Sequence, residues 1–121
     1  MPVRGIRGAT SVESNTKEEI FAKTLELLRV LSDKNNIIIE DVASIIFSVT
    51  DDIDSVFPAA AAREVGWNYT PLFSCREIPV KGSINGLIRI LMHVNTDKSQ
   101  REMQHVYLHR AGALRPDIAG E

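Results

Sequence analysis

Arg89 stands inside LIRILMHVNT (Leu87–Thr96), a run that is otherwise among the most apolar in the chain. The run reads as a β-strand, with Leu87, Arg89, Leu91 and His93 on one face and Ile88, Ile90, Met92 and Val94 on the other. A covered sheet would bury the guanidinium at least in part. A buried guanidinium needs an anion, because an unpaired charge costs several kcal/mol. Two kinds of anion answer that need: a side-chain carboxylate such as Glu77, or a ligand carboxylate with Glu77 close by.

A second cationic cluster opens the chain. VRGIRGAT (Val3–Thr10) interleaves Arg4 and Arg7 with Gly5 and Gly8. Three residues apart on a strand, the two arginines face opposite sides, so at most one points into any single site. The glycines are expected to keep bulk away from Arg7. Solvated arginines at a chain end are the plainer alternative. Arg63, in FPAAAAREVG, reads either as an exposed helix residue paired with a nearby acid or as part of a site. Tyr107, in HVYL, is either core with its hydroxyl satisfied or a donor to a ligand. Arg115, in LRPD, belongs to a tail or a lid.

Familiar catalytic signatures are missing. There is no glycine-rich phosphate loop before a helix, no H-E-x-x-H and no G-x-S-x-G. GIRG (Gly5–Gly8) has the spacing of the KH nucleic-acid loop, but that loop joins two helices and no helix precedes this one. His93, His105 and His109 lack metal-ligand spacing, and His93 reads as a satisfied core or interface residue. The net charge of −2, with nine arginines and five lysines scattered along the chain, argues against a general nucleic-acid binder.

Positioning these residues requires a single domain over residues 1–121, with a loose tail from about residue 116. One cysteine, Cys75, excludes an internal disulfide and a thiolate cluster, and a reducing, cytoplasmic setting is expected. Neither a signal pattern nor a membrane-length apolar run is evident. Val3–Thr10 reads as a strand. TKEE (Thr16–Glu19) has capping-box spacing, with Glu19 reaching back to Thr16. The helix that follows puts Ile20, Thr24, Leu27, Leu28 and Leu31 on one face and ends near Asn35–Asn36. Glu40–Val42 suggests a helical turn, and Ala43–Thr50 a buried strand. Pro58 starts a second helix, which Gly66 stops. An interrupted strand spans YTPLFSCREIPV, HVYL is a short strand, and HRAGAL is a closing helical turn. The expected class is α/β, a mixed sheet with helices packed on one face. An edge strand or an open face would favour self-association.

Five stretches carry a resemblance: VRGIRGAT, FPAAAAREVGW, CREIPV, IRILMHVNTD and HVYL…LRPD. In this order and spacing they resemble the monofunctional, trimeric chorismate mutases of the pseudo-α/β-barrel class, over essentially the whole chain. The resemblance implies an isomerase converting chorismate to prephenate by a Claisen rearrangement, in phenylalanine and tyrosine biosynthesis. It implies no cofactor or metal, and a homotrimer with active sites in clefts between subunits. By position, Arg89 would sit beside the ether oxygen and Glu77 would accept a hydrogen bond from the ring hydroxyl. Arg7 and Tyr107 would hold carboxylates. Phe57, Ala59 and Phe73 would line an apolar wall, with Ser74, Cys75 and Arg76 nearby. Arg63 and the Leu114–Arg115 segment would close the mouth. Ala60 stands where relatives carry a basic residue, and Ser74 where a cysteine is familiar.

Such a reaction needs no nucleophile and no proton transfer, which fits the missing signatures. It needs confinement of a flexible diacid and a fixed positive charge where the breaking C–O bond leaves negative charge. The rival readings are a trimeric small-carboxylate-binding module and a protein like the reactive-intermediate deaminases. Neither calls for the full set Arg7, Glu77, Arg89 and Tyr107.

Overall fold

Gly8 determines how closely the first strand meets the first helix. The computed structural model describes residues 1–115, so the expected tail from residue 116 lies outside the described residues. Strand β1 runs Val3–Ser11 and helix α1 Lys17–Asn35. A Cβ on Gly8 would lie 3.0 Å from Leu31 Cδ1, 3.1 Å from Ile90 Cγ1 and 3.2 Å from Leu27 Cδ1. Gly8 therefore serves the packing of α1. It does not clear space around Arg7, as the sequence led us to expect, because it lies opposite Ile90 whereas Arg7 lies opposite Leu91, on the other side of the sheet.

Thr16 caps α1, its hydroxyl accepting from the Glu19 N–H at 3.2 Å. The return half of the capping box is absent: the Glu19 carboxylate accepts instead from the Glu13 N–H at 3.1 Å. The turn after β1 presents that N–H to it. Asn36, in the left-handed region at φ 51°, ends the helix. Ile20, Thr24, Leu27, Leu28 and Leu31 are all buried, as their spacing indicated. Buried Asn35 donates to Leu31 O and Gln104 O and accepts from the Gln104 N–H, tying the end of α1 to the segment before the last strand.

The remaining elements are β2 (Val42–Val49), α2 (Pro58–Glu64), β3 (Leu72–Arg76), β4 (Leu87–Asn95) and β5 (Val106–Tyr107). Short 3-10 segments cover Ile39–Asp41, Gln100–Glu102 and His109–Leu114. The strands form one mixed sheet in the order β3-β2-β4-β1-β5. β4 is antiparallel to both β1 and β2, and the outer pairs β2–β3 and β1–β5 are parallel.

Both helices pack on one face. The main core joins Ile6, Ile45, Phe47, Ile90, Met92 and Val94 of the sheet to Leu27, Leu28 and Leu31 of α1 and Ala59 and Ala62 of α2. A bulge between Val42 and Ser44 shifts the alternation so that Val42 also points inward. The second face is left largely without helices, so β2 is buried on one side only. Ile46 and Ser48 are half-buried where the sequence suggested a fully buried strand.

Gly8→Val should lower the free energy of unfolding by about 1–3 kcal/mol in urea denaturation, and Gly8→Ala by less, because the added bulk meets three packed side chains.

Candidate functional site

The face without helices holds the polar residues that an interior strand would normally exclude. Tyr107, Ala9, Arg89, Ser48 and Cys75 are register partners in successive strands. They form one lateral row, each about 4.8 Å from the next. Ala9, between Tyr107 and Arg89, is small and fully buried. Two residues before Ala9, Arg7 lies on the same face in the neighbouring row with Leu91, Ile46 and Phe73. Arg4 lies opposite Val94, on the other side of the sheet, and its Nε donates to Lys98 O at 3.0 Å.

Glu77 follows β3, and its N–H donates to Val49 O at 2.9 Å, which extends the parallel β2–β3 pairing by one residue. Its Oε1 accepts from Arg89 Nη1 at 3.3 Å, and Ser48 Oγ donates to its Oε2. The Arg89 side chain keeps 39% of its surface and Glu77 22%, so the pair is partly desolvated and still open on one side. The single contact leaves this an incomplete fork. Arg89 thus finds the protein carboxylate anticipated from sequence, in a position where a ligand carboxylate could also reach it.

His105 is a contributor that the sequence did not reveal. Its Nδ1 accepts from the Arg7 N–H at 3.0 Å, which requires the neutral ring with its proton on Nε2. Burial, and then the charges of Arg7 and Arg115, push its pKa below the usual histidine value. Tyr107 is buried with Ala9, Leu87 and Ala111, and Leu114 packs against this cluster. The 3-10 segment bearing Leu114 is strapped down by Arg110. That guanidinium donates to Val12 O at 3.0 Å, Asn85 O at 3.3 Å and Glu13 Oε2 at 3.2 Å. No sequence signal marks Arg110. Ser48 did leave one: it is polar, four residues after Ser44, in a strand otherwise apolar.

Of the other expected site residues, Cys75 and Phe73 share the Arg89 face by register and the rest lie elsewhere. Phe57, Ser74, Cys75 and Arg76 line a cavity of about 570 Å³ against Phe47 and Val49, next to Pro58 of α2. Phe47 and Ser74 lie on the helix-covered side and Cys75 on the side of Arg7 and Arg89, so this cavity sits at the β3 edge of the sheet. Arg76 pairs with Asp51 at 3.5 Å in an exposed ion pair of little energetic weight. Ala59 is buried in the core, whereas Arg63 is exposed on the last turn of α2. Phe57 and Phe73 are each 67% exposed, and Tyr69, Ile78 and Val80 are exposed as well. His93 is satisfied, its Nδ1 lying 2.9 Å from Ser44 Oγ.

The chain and its fold have counterparts among known proteins. A family model described as chorismate mutase type I matches residues 3–118. The chain belongs to that family. It is 50% identical over 117 residues to the chorismate mutase AroH of Thermus thermophilus, covering 96% of each chain. It is 45% identical over 120 residues to the Bacillus subtilis (strain 168) chorismate mutase AroH, covering 98% of this chain and 94% of that one. A solved chorismate mutase from Clostridium thermocellum superposes with a TM-score of 0.88 at 50% identity, over 90% of this chain and 97% of the other. The mixed α/β fold read from sequence agrees with that structure. Family membership carries the enzyme class, an isomerase of the chorismate mutase type in aromatic amino acid biosynthesis, and does not favour the deaminase-like or receptor readings. Among the described residues, no helix is long and apolar enough to cross a membrane.

A histidine whose pKa is lowered on folding binds fewer protons folded than unfolded. Stability associated with His105 is therefore present above the unfolded value and is lost as pH falls from about 6.5 through the folded value. Thermal melts between about pH 7 and about pH 5 should show a smaller loss of Tm in His105→Asn, whose Oδ1 can accept the Arg7 N–H without titrating, than in the wild type.

Proposed function

We propose that this protein rearranges chorismate to prephenate at the Arg7, Glu77, Arg89 and Tyr107 face, in a homotrimer in the cytoplasm. The observation that carries this reading is the half-buried Arg89–Glu77 pair, with Arg7 and Tyr107 on the same side of the sheet. One C–O bond breaks and one C–C bond forms within a single molecule, so no atom is gained or lost. The barrier falls when the substrate is held in its compact shape and when charge developing on the ether oxygen meets a fixed cation.

In this reading Arg89 supplies that cation and Glu77 accepts from the ring hydroxyl. Arg7 and Tyr107 hold the carboxylates, and the Leu114–Arg115 segment and Arg63 close the mouth. His105 holds the Arg7 backbone without adding a charge of its own. The single domain expected over residues 1–121 would carry all of these groups.

The trimer reading rests on geometry as well as family. Within one chain the Phe57–Ser74 cavity lies at the β3 edge, two strands away from Arg89. A second copy can bring this edge, with Phe57, Ser74 and Arg76 and with α2 and its Ala59 behind it, against Arg89, while Phe73 and Cys75 already share the Arg89 face of their own chain. The exposed apolar residues along β3 and the segment after it suit such a contact. Sedimentation at micromolar concentration should give three times the protomer mass.

Loss of chorismate absorbance tests the chemistry. Arg89→Ala should reduce kcat by at least about 10²–10³-fold while the circular dichroism and the assembly stay unchanged. Arg89→Lys should also be strongly impaired, because a point ammonium cannot reproduce the planar guanidinium. Near-normal kcat in Arg89→Ala would overturn the assignment.

A further inference from the structure

Glu77 lies just beyond the end of β3, in a segment whose next residue, Ile78, is 79% exposed. Its backbone is tied to β2 by a single N–H bond to Val49 O. A glutamate there has three side-chain torsions to fix, and one 3.3 Å contact to Arg89 leaves most of that freedom. Carboxylate and guanidinium prefer a two-point fork, with both oxygens on two N–H groups. That geometry is not adopted here, because Oε2 is turned to the hydroxyl of Ser48. Ser48 is the register partner of Arg89, so its short side chain rises from the neighbouring strand beside the guanidinium. It has one rotatable bond to its oxygen and little freedom to follow a moving carboxylate.

We propose that Ser48 is a positioning residue for the rearrangement. By holding Oε2 it restricts Glu77 to one contact with Arg89, so that the remaining guanidinium edge is kept for the substrate's ether oxygen and carboxylate. It also fixes Oε1 where the ring hydroxyl must find its acceptor. This inference rests on the roles given to Arg89 and Glu77 above. Without the hydroxyl, Glu77 either closes the fork on Arg89 and occupies donors the substrate needs, or swings into solvent. Closing the fork would leave the folded state as stable as before while slowing turnover.

Three substitutions separate the hydroxyl from its shape. Threonine and valine are nearly isosteric and both suit a strand, but only threonine can donate. Ser48→Ala and Ser48→Val should each lose about tenfold or more in kcat with a smaller change in KM, and Ser48→Thr should recover most of that loss. Thermal melts should differ by no more than a few degrees among Thr, Val and wild type. Equal kcat for Ser48→Thr and Ser48→Val, or wild-type kcat in Ser48→Ala, would overturn the proposal. Wild type and Glu77→Ala are assayed alongside. A wild type inactive on chorismate sinks the functional reading and this inference with it. An active wild type and a crippled Glu77→Ala, with Thr and Val alike, sink only the role of Ser48.

Discussion

A positive charge on an interior strand sets the terms for the rest of this molecule. Arg89 occupies the central strand of a five-stranded sheet, with β1 on one side and β2 on the other. Covered by helices, it would need full compensation inside a low-dielectric core, where one missing partner costs more than most single contacts return. The fold avoids that cost by stacking both helices on the opposite face. Arg89 is left half-exposed, bonded to Glu77, which Ser48 holds in turn, and still accessible to a further anion. Such a partly dry, preorganised cation has most effect on a reaction that builds charge without moving protons.

The asymmetry of the two faces follows from small residues as much as large ones. Gly8 lets Leu27 and Leu31 approach the sheet, so α1 seals the inner face tightly. On the outer face the small, fully buried Ala9 sits between Tyr107 and Arg89 in the row, packed with Leu87 and Ala111. The closing 3-10 segment covers only one end of that face, and Arg110 fixes it there by bonds to two backbone carbonyls. The remainder is left open, and apolar side chains around β3 are exposed.

Much of this was legible in the residues. The 3.6-residue spacing of Ile20, Thr24, Leu27, Leu28 and Leu31 placed α1, and Thr16 and Asn36 mark its ends. Period-two alternation in Leu87–Val94 assigned Arg89 and Met92 to opposite faces. These are local signals, written in neighbours a few residues apart. The bulge at Val42–Ser44, the turning of Glu19 toward Glu13 and the service of Gly8 to α1 depend on what each segment meets after folding, and no local pattern records it.

By itself the sequence determined that Arg89, on an apolar strand, must find an anion, because charge and hydrophobic period are properties of the chain. Tertiary structure alone decided that Arg7, 82 positions before Arg89 in the sequence, shares its face, that Ser48 holds the far oxygen of Glu77, and that His105 accepts from the Arg7 N–H. Those outcomes depend on strand order and register. They are fixed by packing between segments distant in sequence, where a slip of one residue would turn every side chain to the other face.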